Sequence, residues 1–275
     1  MEIGLNLQEH PQISLEDIKE YYASLLTPFI DRMGDKPKGL TSQPLMKGNL
    51  YDEKAYHGNE MRILFVGRAV NGWKIDFSTS SVKDMVDRVF ESASNIKDIE
   101  KGKFETAPGE FYNYNTSPFF QLCHAILEEC GLGENWTKSF AWTNLYKVAP
   151  YKNGNPNNTL IGQTINQCAT ILRNEILLIK PTHIVFITDK WWYQPKGYTR
   201  SREAINKNAF VDMLGVNLYS EDNGTIVGSG ICKAFASFEP MVVVTKRPES
   251  SKMSRSEHAK EIIHAFENLQ NLNAK

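Results

Sequence analysis

Three residues of this sequence carry chemically useful groups at or just after the end of a short apolar run: Gly67, Asn144 and Arg247. Glycine lets a ligand approach the backbone closely. An Asn amide offers both a donor and an acceptor, and a guanidinium stays charged and donates in a planar fork. These groups suit the binding of a polar ligand or an anion. The alternatives are an Asn144 that caps a strand-end turn and an Arg247 that is simply solvated.

Two stretches of the chain are rich in basic side chains. Residues 190–207 contain five basic residues and one acid, and residues 246–260 contain five basic residues and two acids. The first stretch also has interleaved aromatic side chains: Trp191, Trp192, Tyr193 and Tyr198. Basic side chains beside aromatic rings suit a groove that follows a nucleic-acid backbone and stacks its bases. Charged runs are more often solvated faces, so both interpretations stay open.

The four cysteines are far apart in the sequence, and no C-x-x-C pair occurs among Cys123, Cys130, Cys168 and Cys232. Structural zinc and iron–sulfur sites need closely spaced thiolates. We therefore predict no metal site and no cofactor, and we expect reduced, partly buried thiols.

The overall composition is typical of a soluble globular protein, with 41% hydrophobic and 23% charged residues. No apolar run approaches the roughly 20 residues that span a bilayer, and the N-terminus lacks the pattern of a signal peptide. We expect a cytoplasmic monomer that does not associate with membranes. The formal net charge of −1 argues against tight, sequence-independent DNA binding, which usually requires a basic surplus.

The scaffold that must position these residues is predicted from apolar periodicity. Strands are predicted at residues 62–66, 140–146, 183–187 and 241–244, and helices at 14–33, 81–90, 118–130, 159–180 and 254–269. This alternation predicts an α/β fold, a three-layer α/β/α sandwich on a mostly parallel central sheet. In such sheets ligands bind beyond the carboxyl ends of the strands. Gly67, Asn144 and Arg247 all lie at those ends.

The domain organisation predicted from these elements is simple. Residues 1–60 form an N-terminal helical extension, and residues 61–275 form the main α/β domain. The polar segment 91–117 reads as an irregular insertion or lid, and 147–158 reads as a loop rich in Asn, Gly and Pro.

Five segments, in order and spacing, resemble those of the uracil-DNA glycosylase superfamily, most closely its bacterial and thermophile type. GRAVNG at 67–72 is similar to the G-E-A-P-G loop of that family, and SPFFQLCHAILEECGL at 117–132 to its G-x-P-F-V-G segment. TNLYKVAPYKNGNP at 143–156 resembles T-N-V-V-K-C-R-P-P-G-N-R-x-P. The helix-to-strand run 171–188 and VVVTKRPESS at 242–251 complete the series, the latter in place of an H-P-[SA] motif. The resemblance implies a uracil-DNA glycosylase-like fold from residue 62 onward.

The resemblance also implies roles for individual residues in a pocket that holds an extruded base. Phe119 matches the stacking aromatic, with a place in the hydrophobic core as the alternative, and Asn144 matches the amide that reads uracil. Asn71 would orient a water, and Arg247 stands in the position of the motif histidine. The remaining candidates are substrate-binding Gly67, Arg68 and Ala69 and nucleic-acid-binding Lys246, Ser250, Ser251 and Lys252.

The sequence departs from the family pattern at positions that matter for chemistry. Val70 and Asn71 replace the Pro and Gly of the loop, which contains no carboxylate. Arg247 replaces the histidine, and a guanidinium cannot deliver a proton. Val148 replaces a cluster cysteine, so the family's iron–sulfur cluster is not expected. We therefore expect slow or absent base excision.

Together these features predict a uracil-DNA glycosylase-like protein of DNA repair. It would bind DNA or another nucleic acid, and any hydrolase activity that it retains would cut the N-glycosidic bond of uracil or a related damaged base. Two alternatives remain. One is a non-catalytic member of the same fold that binds a nucleotide or a single strand, and the other is an unrelated small-molecule enzyme that uses the same strand ends.

Overall fold

The structure is a computed structural model. It describes residues 13–33, 40–42, 53–69, 103–107, 110–134, 136–150, 155–195, 197, 204–216, 218–219 and 224–273. The predictions for Asn71 and for a helix at 81–90 lie outside the described residues.

A five-stranded mixed sheet forms the centre of the structure. Its strands are β2 (Ile63–Ala69), β5 (Ala141–Tyr146), β7 (His183–Ile187), β8 (Ile226–Ile231) and β9 (Met241–Thr245). They are arranged in the order β5-β2-β7-β9-β8. Strands β5, β2, β7 and β9 run parallel, and β8 pairs antiparallel with β9 at the edge of the sheet. The predicted α/β class and the four predicted strands are confirmed, with ends that differ from the observed ones by at most three residues.

Helices cover both faces of this sheet. In chain order they are α1 (Leu15–Met33), α2 (Glu53–Gly58), α3 (Pro118–Glu129), α4 (Asn158–Ile179), α5 (Asp189–Tyr193), α6 (Ala209–Leu214) and α7 (Arg255–Asn273). Alternate residues of β2 point to opposite faces. Leu64 and Val66 join a core formed with α1, α4 and α6, whereas Ile63 and Phe65 join a second core formed with α3 and α7.

Helix α4, the longest of the described helices, shows how local sequence determines where a helix begins and ends. The side chain of Asn157, the residue before α4, caps its N-terminus by accepting the Leu160 N–H at 3.0 Å. The predicted apolar stripe, which includes Cys168 and Leu172, is buried. Lys180 ends the helix in the left-handed conformation, and Pro181 follows.

The N-terminal helix α1 packs against α4 in the same core. Ile18, Tyr22, Leu25 and Leu26 are each at most 2% exposed, and all four belong to the cluster that includes the α4 stripe. The amphipathic helix predicted at 14–33 is therefore confirmed, and it contributes to the core of the main sheet. The domain division after residue 60 stays a prediction.

Two short antiparallel pairs lie outside the central sheet, and the sequence patterns do not predict them. One joins β1 (Leu40–Ser42) to β6 (Val148–Pro150), and the other joins β3 (Lys103–Ala107) to β4 (Glu110–Asn113). The predictions of an irregular 91–117 and of a loop at 147–158 are wrong over these residues. Strands of three to five residues are too short to show a clear period, and the partner of β6 lies about a hundred residues away along the chain. None of the described helices has the length and apolar character needed to cross a membrane.

A buried histidine holds the end of β9. Thr245 Oγ1 donates to the Thr225 carbonyl at 3.1 Å, so it accepts from Nε2 of His258, which lies 2.7 Å away. Among the described residues, His258 Nδ1 is buried with no hydrogen-bond partner. Burial, with a smaller contribution from Arg255, lowers the pKa of His258 to about 4.

This arrangement predicts a loss of stability in mild acid. The unfolded chain binds the imidazole proton more readily than the native chain does. The neutral His258 therefore contributes up to about 3 kcal/mol to the free energy of unfolding. This contribution is fully present above the unfolded pKa of 6.5 and is lost as the pH falls toward 4. His183, whose pKa burial also lowers to about 4, should act in the same direction. Urea unfolding between about pH 7.5 and pH 4.5 should show a shallower pH dependence for His258→Gln than for the wild type, and equal slopes would contradict this account.

Candidate functional site

A cavity of about 230 Å³ lies at the carboxyl ends of the parallel strands, where α3 begins. We call it the strand-end cavity. Its lining is formed by Gly67, Arg68, Ala69, Ser117, Pro118, Phe119, Phe120, Trp142, Asn144, Asn155, Ile187, Arg247 and Glu249. The structure thus brings together Gly67, Phe119, Asn144 and Arg247, which are separated by up to 180 residues in the sequence.

Gly67 and Asn144 face each other across the β2–β5 pair. They are register partners in the parallel ladder. A Cβ at position 67 would overlap Asn144 Oδ1, and it would lie 3.3 Å from Asn144 Cγ and 3.5 Å from Phe119 Cε2. The absence of a side chain at Gly67 therefore makes room for the Asn144 amide beside the Phe119 ring.

The Asn144 amide is the polar centre of the cavity. The residue is 3% exposed, and its Nδ2 is buried with no hydrogen-bond partner among the described residues. A buried amide donor without an acceptor costs about 1–3 kcal/mol, so such groups are rare and call for an explanation. A ligand carbonyl placed in the cavity would supply the missing acceptor.

An aromatic wall lies next to this amide. Pro118 occupies the first turn of α3, where its fixed φ suits a helix start, and the next two residues are Phe119 and Phe120. Phe120 is 3% exposed and belongs to the core. Phe119 is half-buried and lines the cavity, with its ring centroid 5.1 Å from that of Phe120 and 5.9 Å from that of Trp142. One face of the cavity is therefore suited to stacking.

Charged side chains of both signs surround the mouth of the cavity. Arg247 forms an ion pair with Glu249, and its backbone N–H donates to Asp189 Oδ1 at 3.3 Å. Burial and repulsion by Arg247 lower the pKa of Arg68 to about 10, against the opposing influence of Glu249 and Asp189. The guanidinium of Arg247 is held in place by Glu249, which also offsets part of its charge.

A fully buried ion pair on the opposite face of the sheet supports the end of β5. Lys147 Nζ donates to Glu175 Oε2 at 2.7 Å, to Thr143 Oγ1 at 2.7 Å and to the Asn144 carbonyl at 2.6 Å. Thr143 and Tyr22 also donate to the Glu175 carboxylate. Burial raises the pKa of Glu175, while Lys147 and these donors oppose the rise. Lys147 therefore uses all three ammonium hydrogens and fixes the backbone that carries Asn144.

Neither the protein-family models nor the curated proteins with which the sequence was compared match this chain. The likeness to uracil-DNA glycosylases therefore stays a prediction that depends on the five sequence segments.

Some predicted site residues lie elsewhere. Lys246, Ser251 and Lys252 follow β9 at the same edge of the sheet but do not line the strand-end cavity. Ser250 falls in the 3₁₀ turn Pro248–Ser250. The proposed water-orienting Asn71 lies outside the described residues.

Sequence reasoning did not identify two carboxylates of the site. The segment GRAVNG at 67–72 contains none, but Glu249 reaches the cavity from the segment after β9, and Asp189 comes from the segment after β7. Both follow a predicted strand end within a few residues, so their positions in the sequence could have identified them as site residues. Trp142 and Asn155, which also line the cavity, gave no comparable signal. Within the described residues, no group of three or more His, Cys, Asp or Glu side chains is placed to hold a metal ion.

Proposed function

We propose that this chain is a uracil-DNA glycosylase-like protein that holds a uracil-type base, turned out of a DNA strand, in the strand-end cavity. The observation that carries the proposal is the buried Nδ2 of Asn144, which has no hydrogen-bond partner in the part of the chain that the structure describes, beside the half-buried ring of Phe119. Uracil presents a carbonyl oxygen, O4, next to the N3–H donor, so an Asn amide can donate to the first and accept from the second. Cytosine presents an amino group in place of O4 and an acceptor at N3, so the same orientation of the amide would set donor against donor and acceptor against acceptor.

The size and walls of the cavity support a small planar ligand. Its volume of about 230 Å³ is below the range of about 300–1,000 Å³ common for drug-sized ligands. Phe119 offers a stacking face, and the missing side chain of Gly67 leaves room beside the amide. Recognition of an extruded base uses stacking and hydrogen bonds to the Watson–Crick edge. Phe119 would provide the first and the Asn144 amide the second.

The charged groups favour binding over fast hydrolysis. A departing uracil anion needs a donor near its O2. Arg68 and Arg247 both line the cavity, and Arg247 is the candidate because it stands in the position of the family's motif histidine. Its ion pair with Glu249 offsets part of the charge that would stabilise such an anion. The same ion pair occupies the carboxylate that would otherwise activate a water. We therefore propose slow or absent excision by a protein whose main activity is to bind the base.

Binding measurements with Asn144→Ala test this proposal. The wild type should prefer a single strand with one uracil to the same strand with cytosine in its place, and Asn144→Ala should lose at least about tenfold of that preference, which is about 1.4 kcal/mol. Fluorescence anisotropy at low salt measures both affinities, and a companion assay follows release of the base. Asn155→Ala, which removes an exposed amide from the same lining, is the matched control and should keep the preference.

Two outcomes would count against the proposal. An Asn144→Ala variant that still prefers uracil would show that the amide does not read the base. A wild-type protein that binds no nucleic acid at low salt would favour the small-molecule alternative.

A further inference from the structure

A second cavity, of about 400 Å³, lies between α5 and the start of α6. We call it the indole cavity. It is lined by Lys190, Trp191, Gln194, Lys207 and Asn208. Four of these five residues belong to the basic and aromatic stretch 190–207, which the proposed function does not use, and Asn208 directly follows it.

The local structure explains why the indole faces outward. Tyr193, at the end of α5, is fully buried, with its ring centroid 4.9 Å from that of Phe186. The interpretation of Tyr193 as part of a basic and aromatic groove is therefore wrong, because the core takes up its ring. Trp191 is two residues earlier on this short helix, so it points in another direction, and it is 42% exposed. A large aromatic side chain with this exposure is a common feature of binding surfaces.

The lining of the indole cavity fits a planar ligand that carries negative charge. Lys190 and Lys207 are both exposed cations, Gln194 and Asn208 supply amides, and no carboxylate is among the described lining residues. An unpaired nucleotide matches this set, because its base can stack on the indole while its phosphate lies near the ammonium groups.

A hydrogen bond links the segments that line the two cavities. Helix α5 begins at Asp189, two residues after β7 ends, and Asp189 Oδ1 accepts the backbone N–H of Arg247. Trp191 is two residues from Asp189, and Arg247 lines the strand-end cavity. Both cavities therefore have lining residues in segments that follow parallel strands at the same edge of the sheet.

We propose that the indole cavity is a subsite for an unpaired nucleotide of the same strand, flanking the nucleotide whose base occupies the strand-end cavity. This inference rests on the proposed function for its account of the neighbouring site. The contact itself does not depend on uracil, because stacking tolerates any base.

The subsite is tested by the dependence of affinity on ligand length. Labelled deoxyuridine monophosphate fills one site, and a labelled single strand of about twelve nucleotides with one uracil spans both. Trp191→Ala should bind the longer strand about tenfold more weakly than the wild type does and the mononucleotide equally well. The double variant Lys190→Gln/Lys207→Gln should reduce the slope of log affinity against log salt by about 1 for the longer strand. Tyr219→Ala, which removes a side chain that is 64% exposed, and Lys233→Gln, at an exposed lysine outside both basic stretches, are the matched controls.

The outcomes separate this inference from the proposed function. If Trp191→Ala and the double lysine variant bind both ligands as the wild type does, the subsite is wrong, while a wild-type preference for uracil would leave the proposed function standing. If the wild type shows no preference for uracil but Trp191→Ala still weakens binding of the longer strand, the proposed function fails and the subsite stands. Absence of strand binding by the wild type would overturn both.

Discussion

Replacing Lys147 with Met should lower the free energy of unfolding by about 3–5 kcal/mol, because it leaves a buried carboxylate without its cation. Both side chains of the Lys147–Glu175 pair are fully buried. The substitution also removes the donor to the Thr143 hydroxyl and to the Asn144 carbonyl. Without the ammonium group, burial would raise the pKa of Glu175 further and favour the protonated acid.

Equilibrium unfolding in guanidinium chloride measures this loss. Lys260→Met, a substitution of an exposed lysine on α7, is the matched control and should change the free energy of unfolding by less than about 0.5 kcal/mol. The double variant Lys147→Met/Glu175→Leu should recover at least half of the loss, because replacing both partners by apolar groups removes the uncompensated charge. A loss below about 1 kcal/mol for Lys147→Met would show that the pair contributes little, as exposed pairs do.

Replacing Gly67 with Ala should abolish the preference for uracil while the chain still folds. The new Cβ would overlap Asn144 Oδ1, so the amide has to turn away from its place in the strand-end cavity. We expect at least a tenfold loss of preference for uracil over cytosine, about 1.4 kcal/mol. The cost in unfolding free energy should be about 1–3 kcal/mol, as for other overpacked sites.

Two comparisons isolate the steric cause. Gly58→Ala adds a Cβ with no atom within 4 Å and should change neither binding nor stability appreciably. In an Asn144→Ala background the overlap with Oδ1 is gone, so Gly67→Ala should then cost less stability than in the wild type, and the difference is the coupling between the two residues. A Gly67→Ala protein with wild-type preference for uracil would show that Asn144 has room to move without losing its function.

Several features of the fold follow from local sequence patterns. The apolar stripe of α4, the Asn157 cap and Pro181 after its end fix one helix within a residue or two of its observed bounds. The short apolar runs that became β2, β5, β7 and β9 are buried on both faces, and this burial is why they lack alternation. Elements with strong periodicity are predictable because their burial pattern repeats within one segment.

Other features depend on partners that are distant in the chain. Strand β1 exists because it pairs with β6, and neither is long enough to show a period. Lys147 has the sequence context of a surface residue, because it lies between a predicted strand and a segment predicted to be a loop rich in Asn and Pro. Only the approach of Glu175 from α4 makes its burial possible, since a buried charge needs a partner.

The sequence by itself determined the parallel α/β scaffold and the edge of the sheet at which we propose that a ligand binds, because the carboxyl ends of parallel strands meet on one side. It also determined which chemically useful residues lie at the strand ends along that edge, namely Gly67, Asn144 and Arg247. Only the tertiary structure decided that Glu249 pairs with Arg247 and that Asp189 holds the Arg247 backbone. It alone placed the Asn144 amide against Gly67, with Nδ2 buried and no partner for it among the described residues. The physical reason is that hydrogen bonds and ion pairs act over a few ångströms, and residues from four separate strand ends come within that distance only after the sheet has formed.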